Sequence, residues 1–192
     1  MARPKEFDRD EALKRALEVF WEKGYEATSI QDLVDRTGVQ RQSLYDTFGD
    51  KHALYAESLH RYASEADAWL KDLTTPAASP LAHLKATFMA IVDGVCTDTK
   101  GCMLMNAAVE RGDTDPTVAE CVHEGRARME RAFTALVRLA QAAGEVPKSV
   151  SASGAARTLV TLLWGMRAMA RTEPERSWLK SVVDHTVTSL AS

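Results

Sequence analysis

Three cysteines in 192 residues, none in a Cys-x-x-Cys spacing, leave neither a disulfide framework nor a zinc ligand set. An odd number of thiols suits a reducing compartment, so a cytoplasmic chain is expected. The five histidines (His52, His60, His83, His123, His185) are scattered without ligand spacing, so no metal and no cofactor are expected. There is no glycine-rich phosphate loop and no nucleophile elbow. No nucleophile, base and orienting residue assemble into a catalytic set, so the chain does not read as an enzyme. No run of about 18 uncharged apolar residues occurs, which excludes a membrane-spanning helix. Met1-Ala2-Arg3-Pro4-Lys5 lacks the apolar core of a secretion signal and reads as a disordered arm, with Arg3 and Lys5 as minor-groove candidates. Positive charge is also lacking: the net charge is −3.

What is present is helical periodicity throughout, with 45% hydrophobic residues. The expected class is all-α, in about nine helices. The first three are short. Asp8 suits a helix cap with Glu11 reaching back to it; Leu13, Ala16, Leu17 and Phe20 then make one apolar face, and Gly24 ends the helix. Thr28-Ser29-Ile30-Gln31 reads as a capping box formed by Thr28 and Gln31, followed by a stripe of Ile30, Leu33 and Val34. Gly38 supplies the positive φ of a tight turn, with Val39 plugging the angle. In the third helix Leu44 and Phe48 point inward, leaving Arg41, Gln42, Ser43, Asp46 and Thr47 elsewhere. This is a helix-turn-helix. An Arg and a Gln at the front of an outward helix have the donors to read base edges in a major groove. Yet residues 1–50 hold eight basic and eleven acidic side chains, a balance equal to the net charge of the whole chain. A nonspecific polyanion binder should be basic; binding here has to come from placed contacts.

Ala27-Thr28-Ser29-Ile30-Gln31-Asp32-Leu33-Val34, Gly38-Val39 and Ser43-Leu44-Tyr45-Asp46-Thr47-Phe48-Gly49-Asp50-Lys51, with Ala16–Phe20 and Lys23-Gly24-Tyr25, resemble the N-terminal domain of the TetR family of bacterial regulators. The resemblance implies a DNA-binding head over residues 1–50 and a helical body over 51–192 for ligand sensing and dimerisation. It implies phosphate contacts from Thr28, Tyr45 and Lys51, base reading by Arg41, Gln42 and Ser43, and flanking roles for Gln40 and Thr47. His52 adds a weak basic donor. Asp46 departs from the pattern, because a carboxylate there repels phosphate unless it accepts from a cytosine amine or pairs with Arg41 or Arg36. Gly101-Cys102-Met103-Leu104 and Asn106 resemble a segment of one branch of the family.

In the body, Thr74–Pro80 is a break, Asp115-Pro116 a strong helix start and Val146-Pro147 a second break. The segment between the last two is one long helix of about 28 residues. The last two helices, about 151–191, carry more apolar surface than one face needs, which points to a homodimer suited to a palindromic operator in double-stranded DNA; the resemblance implies the same. The resemblance also places a small-molecule effector among helices five to eight. Phe88, Met105, Met129, Phe133 and Trp164 are candidate walls, with Asn106 and Arg167 to orient the ligand. Cys102 follows Gly101 at a helix N-terminus, where backbone donors activate a thiol, so an electrophile- or oxidant-sensing regulator is one alternative. A helical interaction protein with a head that no longer binds DNA is the other.

Overall fold

The computed structural model describes residues 7–75, 77–172 and 174–192. The candidate arm residues Arg3 and Lys5 lie outside them. Among the described residues there are nine α-helices and no strand. The first three, α1 (Arg9–Lys23), α2 (Ile30–Thr37) and α3 (Arg41–Phe48), form the head. α4 (Lys51–Leu73) leads away from it. α5 (Pro80–Thr97), α6 (Met103–Arg111), α7 (Pro116–Ala142), α8 (Ala152–Met169) and α9 (Arg176–Leu190) make the body, with a single 3-10 turn at Ala170–Thr172 after α8.

Local chemistry sets these boundaries. Asp8 caps α1 by accepting from the Asp10 and Glu11 amides. The Glu11 side chain does not turn back to the cap; it runs forward to Arg15 Nε at 2.8 Å, an i,i+4 pair. The capping box of α2 sits one residue later than the sequence suggests. Ser29 is the cap, its hydroxyl accepting from the Asp32 amide at 3.1 Å, while the Asp32 carboxylate accepts from the Ser29 amide at 2.8 Å. Thr28 is withdrawn, its hydroxyl donating to the Gly24 carbonyl. Asp50, Ser79, Asp115 and Ser151 cap α4, α5, α7 and α8, with proline at the start of α5 and α7.

Two hydrophobic cores result. The upper one joins the inner faces of α1–α3 (Leu17, Phe20, Leu33, Leu44, Phe48) to the first half of α4, all of α6 and the start of α7. Phe20 and Tyr55 meet edge-on within it, centroids 5.0 Å apart. The lower core takes the end of α4, α5, the rest of α7, α8 and α9, around Phe88, Phe133, Leu159, Leu163 and Leu179. The cores do not part at residue 50. The buried hydrophobic residues between Cys102 and Val122 belong to the upper one. α4 and α7 run through both, and Trp164 of α8 packs against both.

Candidate nucleic-acid interface and the cavity beneath it

The turn that aims α3 is built from Gly38 at φ 72°, ψ 11°, a left-handed conformation that glycine adopts without strain. Thr37 braces it, donating from Oγ1 to the Leu33 carbonyl at 2.7 Å and accepting from the Val39 amide at 3.1 Å. Val39, Leu44 and Phe48 are buried and pin α3 to the head. The opposite face is open: Gln40, Arg41 and Gln42 are exposed, and Ser43, Tyr45 and Thr47 half-buried. Gln40 sits at the cap position with no cap bond from its side chain, leaving the amide free. Arg41 lies 5.4 Å from the Tyr45 ring centroid and Lys51 Nζ 4.3 Å from that of Tyr25. These two expected contact residues therefore flank α3 as cations on aromatic faces.

The acidic balance of the head is resolved by pairing. Glu11 binds Arg15, Glu22 binds Arg36, Asp32 binds Lys23 and Glu57 of α4 binds Arg9. Body and α4 cations take others: Asp10 pairs with Arg61, Glu18 with Lys100 at 2.9 Å, and Glu26 with Arg111. Arg41 and Lys51 form no ion pair among the described residues, so two of the unspent positive charges, Lys14 of α1 being another, lie at the ends of α3. Asp46 pairs with neither Arg41 nor Arg36. It accepts from Gln42 Nε2 at 2.9 Å, four residues back.

Two expected DNA contacts are corrected. Thr28 is 1% exposed with its hydroxyl engaged internally, so the outward cap at the start of α2 is Ser29. His52 points away from α3: its Nε2 lies 2.8 Å from Asp115 Oδ2, at the cap of α7. Asp115 is 5% exposed, and its other oxygen takes the Thr117 and Val118 amides. Burial raises its carboxyl, but bonds from His52, the Val118 amide and Arg111 outweigh that and hold it below the ordinary range.

These features agree with known proteins. Residues 12–58 match the family model of bacterial regulatory proteins of the tetR family, and residues 80–186 match that of the tetracyclin repressor-like C-terminal domain. The chain belongs to the TetR family. It is 34% identical over 177 residues, 88% of this chain and 82% of the other, to the transcriptional repressor ComR of Escherichia coli. It is 36% identical to the regulator YezE of Bacillus subtilis over 69% of this chain and 70% of that one. A cysteine mutant of the TetR regulator CifR, solved on a 26-base-pair operator DNA, superposes with a TM-score of 0.85 at 28% identity, covering 97% of this chain and 99% of that one. This TetR protein is a DNA-binding transcriptional regulator, and its DNA is double-stranded.

Beneath the TetR head, α6 grips the loop between α1 and α2. Glu110 accepts from the Tyr25 amide at 2.9 Å and the Glu26 amide at 2.8 Å, and Arg111 lies 4.3 Å from the Tyr25 ring centroid. Beside this clasp are two neighbouring hollows. One, about 300 Å³, is walled by Trp21, Trp69, Ile91 and Gly101. The other, about 210 Å³, is walled by Tyr62, Trp69, Cys102, Met129 and Trp164. Trp21, Trp69 and Arg167 border both. Gly101, at φ +75°, lets the loop before α6 press onto α8, since a Cβ there would stand 2.9 Å from the Arg167 carbonyl.

Of the expected effector residues, Cys102, Met129, Trp164 and Arg167 line this space. Phe88 and Phe133 do not. Their rings pack at a tilt of 36° with centroids 5.8 Å apart inside the lower core, 1% and 0% exposed. Asn106 donates from Nδ2 to the Lys100 carbonyl at 3.0 Å and holds the loop before α6, and Met105 packs on the upper core. Trp21, Tyr62 and Trp69 also line the hollows, beyond the residues expected from the sequence. Trp21 carried a signal, standing four residues after Leu17 on the packed side of α1.

Proposed function

We propose that the chain is a homodimeric repressor of the cytoplasm that holds a palindromic operator with two copies of α3 and releases it when a small molecule fills the paired hollows. Residues 1–50 read DNA and residues 51–192 sense and dimerise. The observation that carries this is the outward face of α3, with Arg41 and Lys51 unpaired while the acids of the head are engaged. Gln40, Arg41, Gln42, Ser43 and Thr47 supply base-edge donors and acceptors. Tyr45, Lys51 and the Ser29 end of α2 take phosphate. No reaction is assigned.

The dimer reading draws on α8 and α9. Gly154, Thr158, Thr161, Gly165 and Ala168 recur at three and four along α8 and are exposed, so a second helix can approach closely. Trp178 of α9 is 50% exposed. A two-fold through these helices would set the reading helices about 34 Å apart, one turn of duplex. Emptying the operator then requires the effector to favour the released arrangement by several kcal/mol, a coupling that a small change of that separation supplies.

The test is selection of an operator from random DNA followed by two variants. Arg41→Ala should weaken the selected site by about 1–3 kcal/mol and spare random DNA. Lys51→Ala should weaken both and lower the slope of log affinity against log salt by about one. Equal losses on both DNAs for both variants would overturn the assignment, and a selection that enriches no palindrome would favour a head without DNA function. A thiol-sensing variant of this reading has one observation in its favour: Cys102 sits at the α6 cap and in the wall of the hollow beside Tyr62. An intact effector response in Cys102→Ser removes it.

A further inference from the structure

The charged groups around the hollows are engaged, with one exception. Glu65 pairs with Arg61, Asp98 with Lys100, and Arg128 with Asp67 and Glu124. Arg167, which borders both hollows, makes no ion pair with a carboxylate among the described residues. It stands near the Tyr62 phenol: burial raises that phenol, and the charge of Arg167 opposes the rise. The indole N–H of Trp164 is buried without an acceptor. A guanidinium is thus left over in a space whose walls include the rings of Trp21, Tyr62, Trp69 and Trp164.

We propose that the paired hollows take a flat aromatic acid, its carboxylate held by Arg167 and its ring laid against Trp21 and Trp69. The proposal rests on the effector reading above and adds the chemical class of the ligand and a wall donated by the DNA-binding head. A cation in an apolar wall is costly until an anion meets it, and guanidinium matches carboxylate with two parallel bonds. Tryptophan faces favour a flat ring, offset or edge-on. A cavity of about 150 Å³ already holds one benzene ring, so either hollow has the room. A cationic ligand would be repelled, and a neutral one would leave Arg167 unanswered.

The position of Trp21 gives the class a consequence. Trp21 belongs to α1, and its Nε1 donates to the Gly101 carbonyl at 3.3 Å while its ring lies edge-on to Tyr62, 5.0 Å between centroids. Lys100 Nζ stands 4.1 Å from the Trp21 ring centroid and pairs with Glu18, also on α1. A ring inserted between Trp21 and Trp69 pushes on the head itself through α1, as well as on α4.

Calorimetry on the full chain, free of DNA, with indole-3-acetic acid, its methyl ester and tryptamine tests the proposal. The acid should bind at least about tenfold tighter than the ester, the worth of one charged hydrogen-bonded contact, and tryptamine should bind weakest. Arg167→Gln should erase the gap between acid and ester while leaving the ester within about twofold, and Arg167→Lys, which keeps the charge without the fork, should narrow it. A melting curve on each variant confirms folding. Equal binding of acid and ester, tighter binding of tryptamine, or no heat from any of the three at about 1 mM would overturn the proposal. Because DNA is absent, a chain that binds the acid but selects no operator would sink the repressor reading and leave this one standing.

Discussion

The upper and lower cores are of similar make and differ in ownership. The lower core is the body's alone, whereas the upper one mixes the head with α6 and the start of α7. Its seams carry contacts that cross between head and body, Glu18 to Lys100, Glu26 to Arg111 and Glu110 to two backbone amides of the head, and His52 of α4 adds a bond to Asp115. The three-helix head is therefore seated on the body rather than joined to it by α4 alone. A signal that moves α6 has no flexible joint to cross.

The strongest way to break this comparison is to damage each core in turn. Phe20→Ala and Phe133→Ala each remove a buried ring and should each cost about 3–5 kcal/mol. If the cores are one cooperative unit, both variants lower a single melting transition. Two transitions, with Phe20→Ala moving only one of them, would mean that the upper core unfolds by itself.

Cutting the seam comes next. Glu110→Ala leaves the Tyr25 and Glu26 amides without an acceptor and should cost about 1–3 kcal/mol. Hydrogen exchange should quicken at the loop between α1 and α2 and stay unchanged around Phe133. Equal quickening in both cores would deny the clasp a local role.

A smaller effect tests the surface. Asp46→Asn removes a carboxylate from the reading helix and frees Gln42 from its charged partner. Affinity for all DNA should rise a few-fold, on the order of 1 kcal/mol, with a steeper salt slope. A loss confined to the selected operator would show instead that Asp46 reads a base.

The smallest concerns pH. Bonds from Lys23 and Ser29 hold the Asp32 carboxyl well below its usual value. A group whose folded pKa is depressed stabilises fully above its unfolded pKa, and the contribution disappears as pH falls below that value toward the folded one. Asp32→Asn should therefore lower stability near pH 7 and converge with the parent chain as pH falls below about 4, so that its acid unfolding curve is flatter, as followed by circular dichroism.

The head was largely legible because its signals are local. Caps, glycine stops and apolar stripes act over a few residues, and α1, α2 and α3 fall where these place them. Even the misplaced capping box is a local ambiguity. Thr28 and Ser29 are both good caps, and the choice turns on a bond from Thr28 back to Gly24 that sequence does not display. The hollows were illegible for the opposite reason. Their walls come from α1, α4, α5, α7 and α8, and no periodicity marks residues that meet across such distances in the chain. Phe88 and Phe133 looked like pocket walls because an aromatic on a buried stripe gives one signal for two fates. The charge of the head misled in the same way, since counting residues 1–50 leaves out Arg61, Lys100 and Arg111, which neutralise it from outside.

Of the two helices that thread both cores, α7 is the longer. At 27 residues α7 is about 40 Å long, a rod with no proline past its first turn to absorb bending. Its lower half is bedded in α5 and α8, and its upper tip holds His52, one residue beyond Lys51. Under the proposed effector site, a tilt of the rod beside the hollows is carried to the start of α4, a leverage that a chain of short, jointed helices would dissipate.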